Sequence, residues 1–238
     1  MTRFLLLAIV ILATIVEAAS PPAAQAAASP LPRGKSELQR LAQASGGTLE
    51  VLWNERTHTP SLLTGALTSP SGHAPEWIAR EFLKQVRASY GIRDPDRAMR
   101  IASIERTNGK VRVMFQHLLF DTPVWGDWLV VDVDKEGVVR RVEGVIHPNL
   151  ERKLFNRPKH AALSAEEAAI KAVRSVPDVP DGIAVREPEV RSYYLPTKPG
   201  TPLIYVVQAA YGDPERVVTT IVHALTGRII ERQTDEWQ

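Results

Sequence analysis

The chain contains no cysteine. That absence excludes disulfides, a thiolate nucleophile and thiolate metal ligation, so an exported form of this chain must stand on packing alone. Charge of one sign is also scarce. A formal net charge of +2 over 238 residues is too small to argue for nucleic acid, and no basic-aromatic groove pattern appears. Long apolar runs are missing too: the stretch Phe4 to Val16 ends at Glu17 and is too short to span a bilayer comfortably. The six histidines, His58, His73, His117, His147, His160 and His223, are scattered. None forms H-E-x-x-H, the helical spacing that puts two zinc-binding imidazoles and a general base on one face. There is no G-x-S-x-G elbow, no P-loop and no G-x-G-x-x-G. An enzyme reading therefore has no residue constellation behind it.

What remains is a globular composition, 44% apolar and 24% charged, long enough for one or two cores. Arg3 followed by the Phe4–Val16 run reads as a secretory signal peptide, with small-residue cleavage contexts at Val16-Glu17-Ala18 and Ala24-Gln25-Ala26. Residues 1–28 then hold the signal peptide and the start of an Ala/Pro-rich tether that continues to Gly34. The expected location is secreted or extracytoplasmic; an uncleaved anchor through residues 4–16 is the lesser option.

The rest of the chain is organised around Lys110 to Ile146. Val111, Val113 and Phe115 alternate as in a half-buried strand, and Thr122-Pro123 breaks the run. Strands over Val124–Asp134 and Val138–Ile146 complete a meander around the Asp134-Lys135-Glu136-Gly137 turn. Upstream, a weak helix is predicted over Ser36–Ala44 and a strand through Leu49, Val51 and Trp53. The strongest helix is expected over Pro75–Tyr90, with Ile78, Phe82, Val86 and Tyr90 on one face and Gly91 beyond its end. Met99–Arg106 reads as a strand that enters the meander through the Asn108-Gly109 hairpin turn. From His147 to Ala162 the periodicity lapses and basic residues gather, which marks a linker; such a charge run is ordinarily a solvated face. Beyond it, Ser164 and Glu167 form a capping box for an Ala-rich helix. Strands follow over Val190–Leu195, Pro202–Tyr211, Val217–Ala224 and Ile229–Arg232. The predicted fold is α+β, two modules at 36–146 and 163–238 joined by 147–162, each an antiparallel sheet with a packed helix.

Within the meander, Phe115-Gln116, Pro123-Val124-Trp125-Gly126, an apolar strand, Gly137 and Gly144 resemble the core motif of the FTP domain, the first half of fungalysin- and thermolysin-type propeptides. Asp121 stands where glycine is usual, and His117 where a second glutamine is common. Thr59 to Gly65 is similar to the segment that opens such domains. After the linker, Ile221-Val222-His223-Ala224 with Thr226 and Gly227 resembles the ending of a PepSY domain, with His223 in place of the usual Asp. The order FTP then PepSY is that of metallopeptidase propeptides, and the chain stops at Gln238 about where a propeptide would hand over to its enzyme.

Three other patterns compete with this reading. Asp132, Asp134, Glu136, Gly137 and Glu143 approach calcium-loop spacing, but they lie in strand-like sequence around a hairpin turn. His117 and Asp121 suggest an acid–base pair, yet no nucleophile accompanies them. Trp125 and Trp128 are three apart on a strand and so face opposite ways, one toward core and one as a candidate interface. Trp237, near the C-terminus, is a third interface candidate. The resemblance implies no cofactor and no catalytic residue. It implies a non-catalytic partner of a secreted thermolysin-type metallopeptidase, acting as inhibitor, folding assistant or both. A cell-envelope regulatory or interaction module is the alternative, since PepSY-type domains also occur outside propeptides.

Overall fold

The computed structural model describes residues 35–176, 184–212 and 216–235. The expected signal segment, the tether to Gly34, and Trp237 lie outside the described residues. The fold is mixed α+β, and the described residues form ten strands and five helices in the order α1 (Lys35–Ala44), β1 (Glu50–Trp53), β2 (Pro60–Thr64), α2 (Pro75–Gln85), α3 (Pro95–Ala98), β3 (Met99–Thr107), β4 (Lys110–Leu119), β5 (Thr122–Asp134), β6 (Val139–Val145), α4 (Leu150–Lys153), α5 (Ala165–Arg174), β7 (Glu189–Tyr194), β8 (Leu203–Tyr211), β9 (Arg216–His223) and β10 (Ile229–Asp235).

Strand β5 joins everything. Its C-terminal part runs between β4 and β6, and β2 and β1 continue that side while β3 flanks β4. Its N-terminal part meets β7 at one parallel pair, Val124 with Tyr194, and β8, β9 and β10 follow in antiparallel order. The parallel step is the sole exception to antiparallel pairing among the described strands.

Helix α2 covers the first sheet with Ile78, Ala79, Phe82 and Leu83, and Val86 and Tyr90 continue the same buried face as predicted. The helix itself stops at Gln85, short of the predicted Tyr90. The cause is Glu37 on α1, whose carboxylate accepts the amides of Ala88 and Ser89 at 2.9 and 3.2 Å and so takes donors that a continuing helix would have used internally. Two further elements escaped the sequence pattern. Pro60–Thr64 is a strand pairing with both β1 and β6. The segment 147–162 carries the short α4, and Leu150 and Leu154 are buried with Leu119, Val124 and Tyr194.

In the second half, Ser164 and Glu167 form the predicted capping box, with Ser164 N–H donating to Glu167 Oε2 at 2.8 Å and Glu167 N–H to Ser164 Oγ at 3.1 Å. Ala168 and Ala172 then let α5 settle closely on Val207 and Val222 of the sheet. The turn before β10 explains His223: its Nδ1 accepts the amides of Leu225 and Thr226 at 3.2 and 3.3 Å. A carboxylate would accept the same pair, so the imidazole replaces an Asp-type turn cap without changing the turn.

Candidate functional site

The site is built on a break in register between β4 and β5. Gln116 pairs with Trp128 and Leu118 with Pro123, so the single residue His117 faces the excursion Val124-Trp125-Gly126-Asp127. This is an extended bulge. Its geometry starts at the hairpin tip, which lies at Phe120 and Asp121 (φ 50° and 65°), two left-handed residues that close a turn between Leu119 and Thr122. Asp121 thus occupies a position that suits glycine, and aspartate is among the residues that tolerate it. The expected chain break at Thr122-Pro123 is displaced to this tip, and Pro123 lies inside β5. Proline is tolerated there because its pair is one step from the closing pair, where an amide points away from the partner strand.

Gly126 has φ 78°, which lets the chain turn back out of the bulge. The excursion leaves carbonyls without ladder partners, and the Gln116 side-chain amide fills that need. Its Nε2 donates to Val124 O at 2.9 Å, Asp127 O at 2.8 Å and His117 O at 3.1 Å. Phe115 beside it is wholly buried, with the Arg80 guanidinium 5.6 Å from its ring centroid. The aromatic-Gln and Pro-Val-aromatic-Gly parts of the motif therefore specify one object, the bulge that hands β5 from one sheet to the other. Gly137 lies in the β5–β6 turn, where Asp134 Oδ1 accepts the Glu136 and Val138 amides at 3.0 and 2.8 Å. Gly144 on β6 crosses Trp128, and Thr226 and Gly227 lie in the β9–β10 turn.

The bulge also places a carboxylate that the sequence did not single out. Asp127 is 1% exposed, and its Oδ2 accepts from His117 Nδ1 and from the His147 backbone N–H, both at 2.8 Å. Its Oδ1 accepts from His147 Nδ1 at 2.6 Å. Burial pushes the Asp127 carboxyl up, but the hydrogen bonds from His117 and His147 outweigh it and hold the group below the usual carboxylate range. His117 is thus paired with Asp127 rather than with the turn residue Asp121. The legible signals were a glycine inside a strand pattern, which marks a bulge, and a charged residue directly after it.

Chemically the cluster is a carboxylate orienting two imidazoles. Among the described residues no hydroxyl or amine bonds to either ring. No group of three His, Asp or Glu side chains among the described residues could hold a metal ion. The carboxylates of the calcium-like spacing are turned to other work: Asp132 bonds Arg112 Nε at 3.0 Å and Lys110 Nζ at 3.3 Å, Asp134 caps the turn, and Glu143 meets Arg141. Trp125 is half-buried and stacks edge-on against Tyr193 of β7 with centroids 5.0 Å apart. Trp128 is 39% exposed. The two indoles thus divide into a packing residue and a surface one.

No family profile matches the chain. Among curated proteins it is similar to bacillolysin of Bacillus cereus, 25% identical over 169 residues, which is 68% of this chain and 29% of that protein. It is also similar to thermolysin of Alicyclobacillus acidocaldarius, 27% identical over 191 residues, 71% of this chain and 34% of that protein. The chain matches part of a thermolysin-type sequence. It spans about a third of the length of these relatives. Among solved structures, the Bacillus megaterium YpeB C-terminal domain is covered for 96% of its length against 85% of this chain, at 10% identity and a TM-score of 0.35, too loose a likeness to argue from. Within the described residues no helix is long and apolar enough to cross a membrane.

Proposed function

We propose that this chain is an exported, non-catalytic, propeptide-like protein that binds a secreted metallopeptidase of the thermolysin type as inhibitor, folding assistant or both. The observation that carries the reading is the combination of a match to about a third of thermolysin-type proteins with a sequence that holds no H-E-x-x-H. The matched third is then the propeptide rather than the catalytic part. The use of the FTP-like motif supports this, because its residues in the first half serve the bulge, a turn, the core and a close strand crossing. Such a protein works by presenting a preformed surface, so that little ordering cost is left to pay on association.

The test is to mix purified residues 35–238 with a panel of secreted thermolysin-type metallopeptidases, native and denaturant-unfolded. The expected result is stoichiometric loss of peptidase activity, or a raised yield of active enzyme on refolding, for at least one member. Absence of inhibition, of refolding assistance and of co-elution across the panel would sink the proposal. The chain alone should show no peptide hydrolysis with or without added zinc.

A further inference from the structure

A cavity of about 340 Å³ lies beside the Asp127 cluster, between the chain linking α2 to α3, the end of β4, and α4. That volume is at the lower end of small-ligand sites. Ile92, Leu119 and Leu150 give it an apolar floor, and Arg93 and Arg152 line it with exposed guanidinium groups. His117 is in its wall, 6% exposed. The ring turns Nδ1 away from the cavity onto Asp127, which is not part of the lining. Its Nε2 forms no hydrogen bond among the described residues and is not sealed off from water, so it is open to an occupant of the cavity.

We infer that this cavity is a binding site for a carboxylate carrying a compact apolar group, with His117 Nε2 and the Arg93 and Arg152 guanidinium groups on the carboxylate and Ile92, Leu119 and Leu150 around the apolar part. This inference does not depend on the peptidase reading. The charged groups around His117 are Asp127 from β5 with His147 behind it, Arg93 between α2 and α3, and Glu151 and Arg152 from α4. Glu151 opposes an anion, but two guanidinium groups outnumber it, and neither Arg93 nor Arg152 forms an ion pair among the described residues. Asp127 accepts the Nδ1 proton, and a bound carboxylate would accept a hydrogen bond from a proton on Nε2. The ring would then lie between two carboxylates, one fixed in the fold and one brought by the ligand. A free peptide C-terminus ending in an apolar residue and a small branched carboxylic acid share this chemistry.

The probes are N-acetyl-leucine, its C-terminal amide, and a tetrapeptide ending in leucine with a free or amidated terminus. Binding to residues 35–238 is followed by calorimetry and by the ¹⁵N shifts of the histidine rings. Affinity for N-acetyl-leucine is expected to rise tenfold or more from about pH 8 to about pH 5.5, the range over which histidines in general change charge. The His117 Nε2 resonance should move while the amide probe leaves it in place. Binding of the free-terminus tetrapeptide as well assigns the site to peptide ends; binding of N-acetyl-leucine alone assigns it to small acids. His117→Gln should abolish the pH dependence. If that variant fails to fold, the Arg93→Gln/Arg152→Gln pair, both on exposed residues, should weaken the acid at least tenfold. Equal binding of acid and amide, pH-independent affinity, or no binding of any acid would overturn the inference.

Discussion

The half built from β1–β6 closes over one continuous cluster running from Leu38 to Ile146, whereas the half built from α5 and β7–β10 divides its buried apolar residues among three separate patches. Along β8, Val207 and Ala209 face α5, while Ile204 and Val206 face the other side of the sheet, where Trp125 and Tyr193 pack. The second half therefore depends on a side chain from β5 to cover the face that α5 does not reach. Small units bury less of their surface and are correspondingly marginal. The contrast suggests that the first half holds its shape by its own core, and that the second holds its shape because the bulge in β5 delivers Trp125 and Val124 to it.

The severest way to break the first half is at Gly144. It has φ 143°, and a Cβ there would stand 2.1 Å from the Trp128 carbonyl oxygen, so neither the backbone conformation nor the space admits a side chain. Gly144→Ala is expected to cost about 4 kcal/mol or more, since it combines backbone strain with overpacking between β5 and β6. Urea denaturation followed by tryptophan fluorescence checks this. A loss below about 1 kcal/mol would mean that the β5–β6 crossing is not the support of the first core.

Next in size is the Asp127 cluster, which ties together β4, β5 and the segment leaving β6. It ties β4 through His117 and the segment leaving β6 through His147, and Gly91 O accepts the Asn149 amide at 3.1 Å to fix that segment further. Asp127→Asn is expected to cost about 2–4 kcal/mol at neutral pH, because an amide cannot accept all three bonds that the carboxylate accepts. The pH dependence has a definite sign. The folded-state carboxyl is held below its ordinary value, so its contribution is full above about pH 4 and is lost as pH falls through the lowered folded value. The wild-type chain should lose stability steeply below about pH 4, and the Asp127→Asn chain less steeply. Parallel acid-denaturation curves would contradict this account.

A third substitution separates the halves. Trp125→Ala removes the cover from Ile204, Val206 and Ile221, and is expected to cost about 2 kcal/mol, below the range for a wholly buried tryptophan because Trp125 is half-buried. Hydrogen exchange should show the amides of β8–β10 opening more readily while those of β4–β6 keep their protection. Uniform loss across both halves would show a single cooperative unit and remove the contrast.

What the sequence disclosed of all this follows from how far each signal reaches along the chain. Ser164 with Glu167, Asn108 with Gly109, and the alternation of Val111, Val113 and Phe115 act within a few residues, and each is found where its chemistry predicts. The buried face of α2 was equally legible, but its end was not, because Glu37 terminates it from 51 residues away. The Asp127 cluster was hidden for the same reason. Its partners lie 10 and 20 residues off, and the bulge that gathers them has no periodicity of its own. The resemblance at Phe115-Gln116 and Pro123 to Gly126 located the bulge as a motif without saying what the motif does. Which tryptophan packs and which is exposed depended on Gly126, since its positive φ resets the alternation between them.

The smallest expected effect on stability belongs to Trp128, and there the function of the exposed face is separated from its packing. Trp128 lies on β5 just beyond the bulge, paired with Gln116 on one side and Val145 on the other, with 39% of its surface in water. Truncating a side chain that lies largely on the surface costs less than truncating a packed one, so the loss is expected to be about 1 kcal/mol or less, below that at Trp125. A buried indole in an interface, by contrast, costs about 2 kcal/mol or more in binding when removed. If the proposed peptidase partner docks on this face, Trp128→Ala should lower the denaturation midpoint less than Trp125→Ala does and weaken inhibition about thirtyfold, the ratio that 2 kcal/mol represents at room temperature. Trp125→Ala provides the contrast: it should weaken inhibition only together with the second half's stability. An unchanged inhibition constant for Trp128→Ala would remove this face from the docking surface and leave the propeptide-like reading to be carried by another one.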